Sequence, residues 1–211
     1  MSDFHQSNRV SNEKYRTELF NYVKRLVCPE NFYSSKITDP QRFYLGFKNC
    51  VAPIVNTENQ RLKESLTKTN NTHLLLLKNA ALVDSIIRVA FDCSIWLCNR
   101  TLQKKIHSKD IPIAIIARSG YGREELYFQS NLKVQIISRG GQTKETKQVV
   151  KHLEYLFIHQ SIFQNLINAS YTSIESLEKE LGWNKTIDLL ALLEGRLIVG
   201  NSDIYLKFLK T

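Results

Sequence analysis

The strongest constraint on the fold of this chain is a pair of apolar segments separated by a glycine turn, IPIAIIARSGYGREELYFQSNLKVQIIS, at residues 111–138. Residues 111–117 are almost wholly apolar and rich in isoleucine, as expected of a strand that is covered on both faces. Gly120 and Gly122 flank Tyr121, which predicts a tight turn or a close approach of the backbone to a ligand. Residues 134–137 form a second, shorter apolar run. The stretch therefore predicts two strands on either side of a turn.

Helical patterns surround this pair of strands. The longest covers residues 73–106, with an apolar face wide enough for a helix that packs on two sides. On that helix, four charged residues have spacings that favour surface ion pairs: Asp84, Arg88, Asp92 and Arg100. Residues 1–71 are mainly helical in pattern, and Pro53 is expected to interrupt the helix that Pro40 opens. Beyond the second strand we predict a helix over 143–160, a strand over 162–169 and an amphipathic helix over 186–199.

The glycine turn also carries a family resemblance. Its residues 119–126, SGYGREEL, and the following 130–133, SNLK, resemble the signature of the bacterial PII-protein uridylyltransferases and related nucleotidyltransferases of the DNA polymerase beta-like superfamily. The family pattern is Gly-Gly-Tyr-Gly-Arg-x-Glu-Leu, a short spacer and Ser-Asp-x-Asp. A second segment, residues 192–201 (LLEGRLIVGN), resembles the family's closing Leu-Leu-Asp-Ala-Arg-x-Ile-x-Gly-Asp. The resemblance covers about two thirds of the chain, from residue 72 to residue 211.

The resemblance and the patterns together predict an α+β fold with a helical N-terminal part. A small mixed sheet of nucleotidyltransferase type follows, with flanking and C-terminal helices. We divide the chain into a helical N-terminal region (1–71), a degenerate nucleotidyltransferase-like domain (72–170) and a C-terminal helical segment (171–211).

Two departures from the family pattern bear on activity. In the family, paired aspartates bind the Mg²⁺ ions that hold the triphosphate and activate the attacking oxygen. Those positions are Asn131 and Lys133 in this chain. An ammonium group about 4 Å from a divalent cation repels it by roughly 8 kcal/mol at an effective dielectric constant of about 20. The resemblance thus implies a nucleotidyltransferase fold without its metal site, so we expect neither catalytic residues nor a Mg²⁺ cofactor.

Phosphate binding without metal remains compatible with these residues. The candidate positions are Ser119, Gly120, Tyr121, Gly122, Arg123, Ser130 and Lys133. The serine hydroxyls can donate to phosphate oxygens, and the Lys133 ammonium can replace Mg²⁺ as the counter-charge. Arg123 has two alternatives: it can face a phosphate, or it can pair with Glu124 or Glu125 in the turn.

The formal net charge of +9 is concentrated in the first two thirds of the chain. Residues 1–71 contain 11 basic and 7 acidic side chains, residues 72–142 contain 10 and 5, and residues 143–211 contain 8 and 8. Such a surface can attract nucleic acid, nucleotides or an acidic partner protein. The sequence has no block of lysine and arginine, however, which favours dispersed solvated charge over a nucleic-acid site.

Cysteine usage and hydropathy bear on the compartment. Cys28, Cys50, Cys93 and Cys98 lack metal-site spacing, and we expect the last two to be buried thiols within a helix. The polar first residues do not resemble a signal peptide, and no apolar run approaches 18 residues. These features predict a cytoplasmic protein with no membrane association.

Three functions are compatible with the sequence. The first is a pseudoenzyme that binds a protein partner or a nucleotide without metal. The second is an active transferase with carboxylates relocated to Asp188, Glu194 or Asp203. The third is a basic nucleic-acid-binding or structural module.

Overall fold

The computed structural model describes residues 2–33, 39–128, 130–140, 143–159, 167–180 and 194–210. The architecture is α+β, with a helical N-terminal part and a four-stranded mixed sheet between helices, as the sequence predicts.

The N-terminal part consists of α1 (Ser2–Leu26), the single turn α2 (Pro29–Phe32) and the long helix α3 (Pro40–Thr69). At the start of α3, the Asp39 side chain accepts a hydrogen bond from the backbone N–H of Gln41 at 2.9 Å, and Pro40 occupies the first turn. Such a cap satisfies one of the backbone donors that a helix start leaves unpaired.

The predicted interruption at Pro53 is wrong, because α3 runs through this residue to Thr69. Proline removes one intrahelical hydrogen bond, that of the carbonyl four residues earlier. Pro53 and Asn49 are both exposed, so water can donate a hydrogen bond to the carbonyl oxygen of Asn49. The opposite face of the helix packs Val51 and Ile54 into the core, which offsets the lost bond.

The central helix is α4 (Thr72–Leu102), which corresponds to the strongest helical pattern in the sequence. More than half of its residues are buried, because α1, α3, α6 and the strand β4 all pack against it. The Asn71 side chain caps its start by accepting from Leu74 N at 3.0 Å. After the helix, a turn at Ser108–Asp110 leads into the sheet.

The sheet has the strand order β3-β2-β1-β4. Its strands are β1 (Ile113–Ala117), β2 (Leu132–Ser138), β3 (Ile167–Ser173) and β4 (Arg196–Gly200), and a single helical turn, α5 (Ser119–Gly122), follows β1. Strand β1 pairs antiparallel with β2, with Ile113 opposite Ser138, and antiparallel with β4. Strands β2 and β3 are parallel. The connection between them includes α6 (Lys144–Glu154) and a wider π-type turn at Tyr155–His159.

Each face of the sheet has its own core. Ile113, Ile115 and Ala117 of β1 contact the large core formed with α1, α3, α4 and α6. Ala114 and Ile116 contact a smaller core on the other face, which includes residues of α7 (Ile174–Glu180) and α8 (Ser202–Phe208). Burial on both faces explains why β1 is apolar at every position.

The chain after α6 differs from the sequence prediction. The strand predicted over 162–169 is β3 at Ile167–Ser173, and residues 160–166 lie outside the described residues. The helix predicted over 186–199 is wrong at its end, because Arg196–Gly200 is strand β4. Leu197 packs on the smaller core, whereas Ile198 and Val199 both pack on the large one, because the register with β1 shifts between Ile115 and Ile116. Both faces of this short strand are therefore covered, which gives a continuous apolar run that periodicity alone does not distinguish from a helix. Sheet strands therefore lie on both sides of residue 170, the boundary that we predicted between domain and C-terminal segment.

All four cysteines are free thiols, and Cys93 and Cys98 are buried, as predicted. Desolvation by burial raises the pKa of both thiols. Within the described ranges, the helices lack any apolar stretch long enough to cross a bilayer.

A buried histidine joins α6 to α3. His152 is 1% exposed, and its Nδ1 lies 2.6 Å from the Tyr44 hydroxyl. Its Nε2 lies 3.1 Å from the Gln148 amide nitrogen. Burial, with a smaller contribution from the charge of Lys151, lowers the pKa of His152 to about 4. The imidazole is therefore neutral at physiological pH and has a structural place in the core.

We expect the free energy of unfolding to fall as the pH is lowered from about 6.5 to 4. In this interval the unfolded chain binds a proton at His152 that the folded chain excludes, so acid favours unfolding. The pKa difference corresponds to a loss of about 3 kcal/mol by pH 4. Chemical denaturation at several pH values measures this slope.

His152→Gln is expected to flatten the slope in that interval, because the titrating group is gone. The matched control is His73→Gln at an exposed position of α4, which should keep the wild-type pH dependence. An equal slope in wild type and His152→Gln would contradict this assignment.

Candidate functional site

The glycine turn follows β1 directly and is closed by its own backbone. Glu125 N donates to Gly120 O at 2.8 Å, and Arg123 N donates to Ser119 O at 3.1 Å. Ser119 has φ of +56°, in the left-handed region where glycine is favoured. The family pattern has glycine at this position, and the backbone conformation gives the physical reason.

Gly122 is fixed by close packing against the second motif segment. A Cβ atom on Gly122 would lie 2.1 Å from the backbone oxygen of Glu194. The guanidinium of Arg123 also reaches Glu194, with Nη1 2.5 Å from Oε2. The two segments that carry the family resemblance, far apart in the chain, thus meet in the structure.

Tyr121 lies between the turn and α4 and is buried. Its hydroxyl donates to Asp84 Oδ1 at 2.7 Å. Burial raises the pKa of Tyr121 well above its ordinary value, and the negative charge of Asp84 adds to the effect. The phenol therefore stays protonated and serves as a hydrogen-bond donor.

Asp84 is the buried centre of an ionic group, which we call the Asp84 cluster: Arg16, Asp84, Tyr121, Glu124 and Arg196. Tyr121 is buried as well, and the two arginines and Glu124 are half-buried. Asp84 is 3% exposed, and Oδ2 lies 2.7 Å from Nη1 of both Arg16 and Arg196. Glu124 Oε1 accepts from Arg16 Nη2 at 2.6 Å and lies 3.3 Å from Arg196 Nε. Two arginines and two carboxylates balance in charge, which buried ions require.

The pKa of Arg196 depends on its partners in the Asp84 cluster. Burial by itself would lower the pKa of Arg196, but the charge of Asp84, its hydrogen bonds and the charge of Glu124 outweigh that effect and raise it. The guanidinium also lies over the Tyr121 ring, 5.7 Å from its centroid. The cluster joins α1, α4, the glycine turn and β4 in one place.

The positions that correspond to the metal-binding aspartates lie at the start of β2. Asn131 and Lys133 are both exposed. The backbone oxygen of Lys133 accepts from Arg118 N at 3.0 Å, so Lys133 is beside the turn. Leu132 and Val134 face α4, and since side chains alternate along a strand, Lys133 lies on the opposite face of the sheet.

The remaining candidate phosphate-binding residues have different environments. Ser119 and Gly120 are half-buried. Ser130 accepts a hydrogen bond from Tyr127 N at 3.2 Å. Arg123 pairs with Glu125 at 2.8 Å as well as with Glu194, so the ion-pair alternative is the one present in this structure. Tyr121 and Gly122 are buried and face away from solvent.

The carboxylates considered as replacements for a metal site are dispersed. Glu194 is paired with Arg123, Asp203 lies in the first turn of α8, and Asp188 falls outside the described residues. Across the part of the chain that the structure describes, no three His, Cys, Asp or Glu side chains converge as metal ligands would.

Sequence reasoning missed the Asp84 cluster. We predicted that Asp84 and Arg88 pair on the surface of α4, which is wrong: Asp84 is buried, and Arg88 Nε donates to Ile198 O at 2.9 Å. Asp92 is partly exposed, and its partner is Lys24 of α1. A signal was present, because Asp84 is the one carboxylate within the apolar run LVDSII, where only a paired charge is tolerated.

We expect Asp84→Asn to lower the free energy of unfolding by about 3 kcal/mol or more. The substitution leaves the half-buried guanidinium groups of Arg16 and Arg196 with one carboxylate between them and puts an amide at the buried position of Asp84. The control is Asp92→Asn on the same helix, whose side chain is 38% exposed and makes one ion pair, so its effect should stay within about 1 kcal/mol. Urea denaturation measures both, and equal effects would contradict the central place of Asp84.

We expect Gly122→Ala to destabilise the fold by about 1–3 kcal/mol, because the new methyl group meets backbone atoms that cannot move independently. Gly120→Ala is the matched control in the same turn, since its Cβ would be 3.4 Å from the nearest atom. Thermal unfolding of the two variants compares them. A Gly122→Ala protein as stable as Gly120→Ala would rule out the close contact with the Glu194 backbone.

Comparisons with known proteins add no assignment. A scan against protein-family models finds no match, and a search of curated proteins finds none either.

Proposed function

We propose that this chain is a catalytically inactive relative of the uridylyltransferase-like nucleotidyltransferases, which acts by binding. Its ligand is either a nucleotide held without metal or a protein partner. The observation that carries the proposal is Lys133, an exposed residue whose backbone oxygen accepts from Arg118 N directly before the glycine turn, at the position where the family pattern has a metal-binding aspartate.

Three residues that match the family pattern and are buried or half-buried support the proposed relation to the nucleotidyltransferase fold. Tyr121, Gly122 and Arg196 match the family pattern, and each has a packing or hydrogen-bonding role around Asp84 and Glu194. Asn131 and Lys133 depart from it, and both are exposed. Loss of catalytic carboxylates at exposed positions leaves the packing of the fold unchanged, which is how a binding protein can derive from an enzyme scaffold.

For a nucleotide, Lys133 supplies a positive charge and the hydroxyls of Ser119 and Ser130 supply donors. Tyr127, next to the turn, is 52% exposed although it is a large aromatic residue. A nucleobase can stack on such a ring, and an aromatic side chain is also a frequent anchor in protein interfaces. Tyr127 therefore suits both forms of the proposal.

An active transferase with relocated carboxylates is the competing function. It requires acidic side chains that reach the strand pair near the turn. Glu124 is bound to Arg16, and Glu125 and Glu194 are bound to Arg123. Each would have to leave an arginine to bind a cation, which makes this function the less favoured one.

A cytoplasmic location goes with the proposal. Four free thiols, two of them buried, are typical of proteins in a reducing compartment. A partner protein would then also be cytoplasmic.

The test is a thermal-unfolding series with ATP, UTP and GTP, with and without Mg²⁺. Because Lys133 replaces the metal, we expect one nucleotide to raise the melting temperature equally with and without Mg²⁺. Lys133→Gln should abolish this increase. Lys68→Gln, an exposed lysine on α3, is the control and should keep it.

Stabilisation that requires Mg²⁺, or release of pyrophosphate from any of the nucleotides, would contradict the proposal in favour of an active transferase. If no nucleotide raises the melting temperature, the proposed nucleotide ligand is wrong, and a protein partner is the ligand that the proposal retains.

A further inference from the structure

We propose that the end of the sheet opposite the glycine turn is a binding face for the phosphate backbone of double-stranded nucleic acid. The face, which we call the basic end face, is formed by residues 103–110, 139–140 and 143–151. Its positive side chains are Lys104, Lys105, Lys109, Arg139, Lys144, Lys147 and Lys151, and all seven are exposed.

The three segments meet in space although they are separate in sequence. Residues 103–110 lead into β1, and Arg139 directly follows β2, whose last residue, Ser138, is paired with Ile113 of β1. The Lys104 ammonium forms an ion pair with Glu145 of α6, which places the loop after α4 beside the start of that helix. The sequence showed no lysine block because the fold, and not the chain order, brings these charges together.

The loop that carries Lys104, Lys105 and Lys109 is held in place. Asn99 accepts from Ile106 N at 2.8 Å and donates to Ile106 O at 2.9 Å, so one side chain fixes both backbone groups. A second bond runs from His107 N to the Asp110 carboxylate at 2.9 Å. A loop whose backbone is already held in place loses less conformational entropy on binding than a mobile loop.

The charge of the face is strongly one-sided. Its acids are Asp110, Glu145 and Glu175 of α7, whose carboxylate accepts from Gly140 N at 3.1 Å. Among the described residues, Lys104 is the only one of the seven cations in an ion pair. Seven positive and three negative side chains leave a net charge of +4. On α6, Lys144, Lys147 and Lys151 lie at intervals of three and four residues, so they share one side of the helix over about 10 Å.

The chemistry of the face favours a nucleic-acid backbone over a protein. The large exposed hydrophobic side chains in the described residues are Leu26, Leu45, Tyr127, Leu206 and Leu209, and none belongs to the basic end face. A protein interface needs apolar anchors. The absence of aromatic residues from the described segments of the face also disfavours single strands, whose bases stack on such rings. A duplex presents one negative charge per about 1.7 Å of its axis with both strands counted, so 10 Å of duplex carries about six phosphates, about three on each strand.

This face is separate from the site of the proposed function. Residues 117 and 134 pair at the glycine-turn end of β1 and β2, and residues 113 and 138 pair at the other end. Five residues of strand separate the two ends by about 13 Å. The lysines of α6 extend back along the sheet, but α6 packs on the large core, and Lys133 lies on the opposite face of the sheet. Loss of one activity therefore does not imply loss of the other.

The experiment is fluorescence anisotropy with a labelled 20-base-pair DNA duplex over a range of salt concentrations. With about five phosphates contacted, log K should fall linearly with log salt with a slope of about −4 to −5. Replacing Lys144, Lys147 and Lys151 by glutamine should weaken binding at least about tenfold at 0.1 M salt and reduce the slope by about 2.7. A second set, Lys105→Gln with Lys109→Gln and Arg139→Gln, should have a similar effect without altering α6.

The control variant replaces Lys14, Lys68 and Lys210, which are exposed lysines elsewhere, and changes the net charge equally. It should bind like wild type. If the control substitutions weaken binding as much as those on α6, binding depends on the net charge of the whole protein, and the basic end face is not a specific site. If polyglutamate competes as well as unlabelled duplex, or if no duplex binding occurs at low salt, the nucleic-acid assignment is overturned.

Discussion

The rest of the structure depends on one buried carboxylate held between two arginines. Asp84 lies on the central helix and is bound by Arg16 from α1, Arg196 from β4 and Tyr121 from the glycine turn. A buried charge is tolerated only when its partners are in place, so each of these elements has one favourable position relative to α4. Glu124 completes the charge balance. Apolar packing supplies the bulk of the burial, and the cluster specifies the arrangement.

Within residues 119–133 and 192–201, the segments with the resemblance, the residues that hold the fold together differ from those at the proposed ligand site. The glycine turn and the segment around Arg196 hold the helices against the sheet, and their residues have little freedom to change. Asn131 and Lys133 lie outside that packing, at the exposed start of β2. Exposed positions can exchange aspartate for amide or ammonium without a cost to the core. Under the proposed relation to nucleotidyltransferases, loss of the metal-binding aspartates would therefore leave the fold stable.

The sequence predicted the elements whose apolar patterns are long or continuous. Helix α4 and strand β1 have such patterns, and both were predicted close to their bounds. Strand β4 was assigned to a helix because its five residues carry too few positions to distinguish the two periods. The Asp84 cluster was missed because its five members lie in four separate segments, and pairing across the fold has no local pattern. The basic end face escaped detection for the same reason.

The most direct measurement of the central claim is anomalous diffraction from crystals grown with Mn²⁺ and a non-hydrolysable nucleoside triphosphate. We expect no manganese held by protein carboxylates beside the glycine turn, and we expect any bound phosphates to contact Lys133. Two manganese ions coordinated by acidic side chains of this chain next to Gly120 would contradict it.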